Sequence, residues 1–169
     1  GCDYKEIIFT GSATEANNLA LRGAVRRQAT SDKRQGRRRI IISSIEHESI
    51  DATARDLERE GVEVVRVPVS AEGIVDLAKL KAALNERTIL VSIIYANNEV
   101  GTIQPIREIA GIIREFRERQ VTSDKRQVIS DKRRQPTKAK FQTTSKLQPP
   151  PFQMVLLLHC QSQHHWTMF

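Results

Sequence analysis

The chain has 169 residues, 39% of them hydrophobic, and a mean hydropathy of −0.42, which bounds it to one domain with a modest core. No apolar run is long enough to cross a membrane, and two cysteines, Cys2 and Cys160, build no disulfide framework. The net charge of +7 is uneven: residues 1–119 are close to neutral, with 19 Lys and Arg against 18 Asp and Glu, whereas residues 120–169 carry eight against two.

No targeting segment opens the chain; Gly1-Cys-Asp-Tyr-Lys5 leads straight into an expected strand, Glu6 to Phe9, so the start reads as the middle of a domain. Thr10-Gly11-Ser12 is turn-like, and Ala13 to Gln28 reads as a helix that buries Leu19, Leu21, Ala24 and Val25. Ser12 is placed to cap it, with Glu15 at the capping-box position. The basic stretch Ala29 to Arg39 reads as a loop and Ile40 to Ser43 as the next strand. A helix follows from about Ser49 to Glu60, then a strand from Val62 to Val67 and a loop from Pro68 to Gly73. Asp76 to Leu84 reads as a short helix capped by Asp76. Ile89 to Ile94 is a β-branched run, apolar except for Ser92, the pattern of a strand covered on both faces. Its polar turn, Tyr95-Ala-Asn-Asn-Glu99, leads to a helix from Ile106 to Arg119 with Ile109, Ile112, Ile113 and Phe116 at helical spacing. Strands alternating with helices predict an α/β fold with a mostly parallel sheet.

Three places in this plan can carry chemistry. The helix starting at Ala13 follows a strand and a turn, so its free N–H groups and positive dipole end suit a phosphate as well as an ordinary cap. His47, just after a strand, is either structural or a flat, titratable group at a ligand. Asn97 and Asn98 lie at the carboxyl end of the central strand, where open α/β sheets bind ligands, or they form an Asn-rich turn. Glu46 and Glu48 are read as capping the next helix or facing solvent.

Residues 120–150 contain few apolar side chains and are expected to be unstructured. Thr122-Ser-Asp-Lys-Arg-Gln127 repeats Thr30 to Gln35, and Ser130 to Gln135 nearly repeats it again, which marks low-complexity sequence rather than a structural period. The basic stretch at 125–146 lacks interleaved aromatics and is read as solvated, not as a nucleic-acid or membrane surface. His159, Cys160, His164 and His165 are metal-competent, but with no second pair elsewhere they are not assigned a metal. Met154 to Leu158 is apolar but too short to span a bilayer.

Three blocks, in order, resemble the cysteine desulfurases, pyridoxal 5'-phosphate (PLP) enzymes of the class V aminotransferase group. They are Ile7-Ile-Phe-Thr-Gly-Ser-Ala-Thr-Glu-Ala-Asn-Asn-Leu-Ala-Leu21, Ile40-Ile-Ile-Ser-Ser-Ile-Glu-His-Glu-Ser49 and Tyr95-Ala-Asn-Asn-Glu-Val-Gly-Thr-Ile-Gln-Pro-Ile106. The resemblance covers roughly residues 3 to 119. It implies part of the large domain of a fold-type I PLP enzyme in residues 1–119, with a basic low-complexity tail at 120–169. It assigns phosphate contacts to Ala13 and Thr14, ring stacking and proton transfer to His47, and a polar cofactor contact to Asn98. One departure is the order Gly11-Ser12 where the family usually has Ser-Gly, which bears on the turn. The resemblance further implies L-cysteine as substrate, a sulfur acceptor or scaffold protein, a homodimer, and a cytoplasmic or mitochondrial setting. Another class V aminotransferase, such as a selenocysteine lyase, is the nearest enzymatic alternative, and a non-catalytic, basic-tailed binding fragment the other.

The resemblance also says what should follow Arg119: a strand ending in Asp with a Gln a few residues on, a Ser-x-His-Lys segment bearing the Schiff-base lysine, and a loop with a catalytic Cys. No residues of this sequence match them, and Cys160 lies in a different context. With codons starting one base earlier, Met154-Val155 forces Gly after Asp or Asn, His159-Cys160 forces Leu, Trp166-Thr167 forces Asp and Met168-Phe169 forces Val. That pattern is similar to the missing Asp-Gly/Ala-Ala segment. The expectation is that residues 120–169 come from a retained intron or a frameshift, which the transcript decides.

Overall fold

A computed structural model describes residues 7–31, 38–134 and 155–160. The elements in chain order are α1 (Ala13–Ser31), β1 (Arg39–Ser43), α2 (Glu48–Arg59), β2 (Glu63–Val67), α3 (Leu77–Ala83), β3 (Thr88–Ala96), α4 (Ile106–Arg134) and β4 (Val155–Cys160). The strands form one parallel sheet in the order β2-β1-β3-β4.

The period-two alternation of strand side chains divides the core into two layers. Ile40, Ile42 and Leu90 meet Leu21 and Val25 of α1 and Ile50, Ala54 and Leu57 of α2 on one face. Ile41, Val91 and Ile93 meet Leu80 of α3 and Ile109 and Ile113 of α4 on the other. β3 is buried from Thr88 to Ile94, as its apolar run requires. α2 presents Ile50, Thr53, Ala54 and Leu57 at three- and four-residue spacing toward the sheet. It stops at Glu60, and Gly61 takes a left-handed φ of 86° to turn the chain into β2. Asp76 caps α3 as expected, its carboxylate accepting from the Lys79 amide at 3.0 Å.

Four expectations change. Residues 7–9 form no strand; Ile7, Ile8 and Phe9 are exposed and pair with no described strand. Leu19 is 49% exposed, since α1 turns Leu21 and Val25 inward and leaves Leu19 on its solvent side. The helix expected to end at Arg119 continues to Arg134, into the segment read as unstructured. No Gly or Pro interrupts it between Gly111 and Pro136, and Arg, Lys, Glu and Gln are good helix formers that need no core to cover them. The tail also contributes a strand: Val155 to Cys160 pairs in parallel with β3 from Leu90 to Ala96, because an apolar run meets an open sheet edge. The expectations for 135–150, for the loop at 32–37 and for His164 and His165 lie outside the described residues.

A buried glutamine fixes the turn that follows β2. Gln104 accepts from the Val75 amide at 2.9 Å and donates to the Gly73 carbonyl at 2.7 Å, joining that turn to the chain after β3. Gly73 has φ 75°, and a Cβ there would sit 3.1 Å from both Thr102 Oγ1 and Thr102 Cγ2. Gly73→Ala is therefore expected to cost about 1–2 kcal/mol from the left-handed backbone alone, read as a drop in the urea midpoint.

Candidate functional site

The connections out of β1 and β3 leave in opposite directions. α2 packs on the face shared with α1, and α4 packs on the face shared with α3. β1 and β3 are neighbours, so their carboxyl ends flank the crevice created by this reversal, the place where open parallel sheets take ligands. The turn after β1 carries Glu46 and His47; the turn after β3 carries Asn97 and Asn98.

His47 is the N-cap residue of α2, with extended backbone angles of −60° and 146°. Its Nδ1 accepts from the Ser49 amide at 3.1 Å and lies 2.8 Å from Ser49 Oγ. Ser49 Oγ in turn accepts from Asn17 Nδ2 at 2.8 Å. With Nδ1 engaged as an acceptor, a ring proton belongs on Nε2. Two residues, Asn17 and Ser49, from two helices thus set the imidazole's orientation.

Ser12 and Glu15 form the expected cap with one change. The Glu15 amide donates to Ser12 Oγ at 3.2 Å, and the Glu15 carboxylate accepts from the Gly11 amide at 2.8 Å, one residue before the usual capping-box donor. The Gly11-Ser12 order strains nothing, for among the described residues no side-chain-bearing residue has positive φ and Gly11 does not need one. Ala13 and Thr14 are exposed at the start of α1, where helix geometry leaves their amides without intrahelical acceptors. Thr14 and His47 line one open groove of about 360 Å³ together with Asn18, Ser49 and Thr53. Ala13 and Asn98 do not line that groove.

The two asparagines after β3 behave differently. Asn97 is buried; its Oδ1 accepts from the Glu99 and Val100 amides at 2.9 and 2.8 Å, and its Nδ2 donates to the Ile45 carbonyl at 3.0 Å. Asn98 is exposed. Gly101, at φ 78°, closes this turn by donating to the Asn97 carbonyl at 2.8 Å.

Glu46 corrects the sequence reading. It neither caps α2 nor faces solvent: its Oε1 accepts from Ser43 Oγ at 2.6 Å and from the Ile94 amide at 2.8 Å. Burial pushes the carboxyl up to about 7, against the partial relief of those hydrogen bonds, with Asp51 adding a small push in the same direction. Glu48 is the exposed member of the pair, in the first turn of α2 and bridged to Arg55. Asn17 and Ser49 were not singled out by the sequence, although a helix-poor Asn inside α1 was a visible signal for the first of them.

The sequence matches the class-V aminotransferase family profile over residues 1–140, further than the three motif blocks reach. It is 45% identical over 115 residues to the cysteine desulfurase IscS of Histophilus somni, covering 68% of this chain and 27% of that protein. The mitosomal cysteine desulfurase of Encephalitozoon cuniculi is 46% identical over 115 residues, with 68% and 26% covered. A solved structure described as a NifS-like protein superimposes with a TM-score of 0.59 at 37% identity, over 64% of this chain and 29% of that one. The chain therefore spans about a quarter of the length of these curated relatives, and its α/β sheet is part of the PLP-dependent transferase fold. The chain belongs to the class-V aminotransferase family.

Proposed function

We propose that this chain supplies one face of the PLP site of a cysteine desulfurase, the face that meets the phosphate and one side of the ring. The observation that carries this reading is His47, held at Nδ1 by Ser49 with Asn17 behind it, in the turn at the carboxyl end of β1 beside β3. The donor set fits the cofactor: unpaired helix-terminal amides for a phosphate, a flat imidazole for an aromatic ring, and an exposed carboxamide for a polar ring substituent. When bound, PLP supplies an electron sink for chemistry at an amino acid's α-carbon. Ala13 and Thr14 would bind the phosphate, His47 would cover the ring and hold or move a proton at Nε2, and Asn98 would orient the ring from the neighbouring turn.

In the complete reaction, sulfur leaves L-cysteine to give L-alanine and passes through an enzyme cysteine to an acceptor or scaffold protein, within a homodimer in the cytoplasm or a mitochondrion. The chain alone is expected not to perform it. Lys79 and Lys81, whose side chains are described, lie on α3 and are paired with Asp76 and Glu115, on the sheet face opposite α1 and α2. Neither stands where a lysine could reach the His47 crevice.

The test uses pyridoxine 5'-phosphate, which has no aldehyde to react with surface lysines. Titration of the purified chain is expected to show binding that weakens by about tenfold in His47→Ala and in Asn98→Ala, as loss of one well-placed contact implies. Sulfide release from L-cysteine, with PLP and reductant present, is expected to stay at the protein-free level. Equal binding by wild type and both variants would remove the site assignment; catalytic sulfide release would overturn the expected inactivity.

A further inference from the structure

Backbone pairing between β1 and β3 stops at Ile42 and Ser92. Beyond that point the chain departs to opposite faces of the sheet, and nothing in the sheet ladder holds the two turns at a fixed spacing. Two side chains do so instead, in opposite directions. Glu46, from the turn after β1, accepts from the Ile94 amide of β3. Asn97, from the turn after β3, donates to the Ile45 carbonyl of the turn after β1. Each sits immediately before one of the residues proposed to meet the ring: Glu46 before His47, and Asn97 before the exposed Asn98.

We propose that Glu46 and Asn97 are positioning residues that clasp the His47 turn to the Asn98 turn, so that the two groups move as one unit. This rests on the proposed ring-side roles of His47 and Asn98. The clasp supplies preorganisation: ligand groups carried on two separate turns meet one ligand productively only when their spacing is set in advance. Asn97 serves twice, since its Oδ1 shapes its own turn while its Nδ2 reaches across. Asn97→Asp separates these uses, keeping the acceptor and removing the donor. Glu46→Gln keeps an acceptor for Ile94, and Glu46→Ala removes it.

The experiment is residue-resolved hydrogen exchange on the full chain. Glu46→Ala is expected to speed exchange at Glu99 and Val100, on the far turn, by about fivefold, the worth of one hydrogen bond of about 1 kcal/mol. Asn97→Asp is expected to do the same at Ser49 and Ile50, in the first turn of α2. Glu46→Gln is expected to restore wild-type exchange at Glu99 and Val100. Changes confined to the mutated turn, or failure of Gln to rescue, would overturn the clasp. If Glu46→Ala does not fold, Asn97→Asp alone decides, by whether exchange at Ser49 and Ile50 rises. Titration with pyridoxine 5'-phosphate reports separately on the ligand reading: no binding by wild type removes the ring-side roles, while the exchange pattern still judges the coupling.

Discussion

Ile41→Ala is expected to lower the free energy of unfolding by about 4 kcal/mol, toward the upper end of the range for aliphatic truncation in a core. Ile41 has no exposed surface, lies in the second strand from the β2 edge, and packs among β3, α3 and α4 in the layer that α4 closes. Its neighbours on the strand, Ile40 and Ile42, face the other layer, so they cannot move in to fill the space. Small domains are stable by about 5–15 kcal/mol in total, so the variant is expected to be largely unfolded at moderate urea where the wild type is native. Leu19→Ala, at a half-exposed position on α1, is the internal comparison and is expected to cost less than about 1 kcal/mol. Equal urea midpoints for the two variants would show that the two-layer core is wrongly described.

The second large effect concerns Glu46 and pH. Its carboxyl is pushed up to about 7 from the ordinary 4.5, first by burial. Between those values the folded chain holds a proton that the unfolded chain has released, so stability falls as pH rises. The Glu46 contribution is fully present below about 4.5 and is lost as pH passes through about 7. The size is about 3 kcal/mol, from the shift at 1.36 kcal/mol per pKa unit. Glu46→Gln keeps an oxygen for Ser43 Oγ and the Ile94 amide and has no charge to bury. The variant is therefore expected to match wild type within about 1 kcal/mol near pH 4.5 and to exceed it by about 3 kcal/mol at pH 8. Urea unfolding across that range measures the difference, in which the titration of every other group cancels. Parallel curves for the two proteins would show that the carboxyl ionises freely in the fold.

The α/β order, the doubly covered β3 and the Asp76 cap were legible because each follows from local pattern: alternation, helical spacing, or a side chain that can reach its own helix. What was not legible depends on contacts between distant segments. Glu46 and Glu48 flank the same histidine and look alike in sequence; only the Ile94 amide, far along the chain, decides which one turns inward. Asn97 and Asn98 are likewise identical in composition, and the Ile45 carbonyl makes one structural and leaves the other exposed. The long α4 was missed for another reason. Scarcity of apolar residues argues against a core, but a charged helix extending from a well-packed first half needs little core of its own. The site residues His47 and Thr14 do share a groove, yet the Asn17–Ser49 support behind the imidazole involves two helices and could not be read from either alone.

The attachment of β4 has a consequence for the order in which the chain assembles. β1, β2 and β3 are joined through α2 and α3 by short links, so their contacts close small loops and carry a low entropic cost. β4 reaches β3 only after the whole of α4 and a further stretch of chain, and it touches the sheet along a single edge. Its docking is therefore expected to be a late event, on a sheet whose first three strands are already paired. The last strand is thus expected to form a cooperative unit separate from β1, β2 and β3.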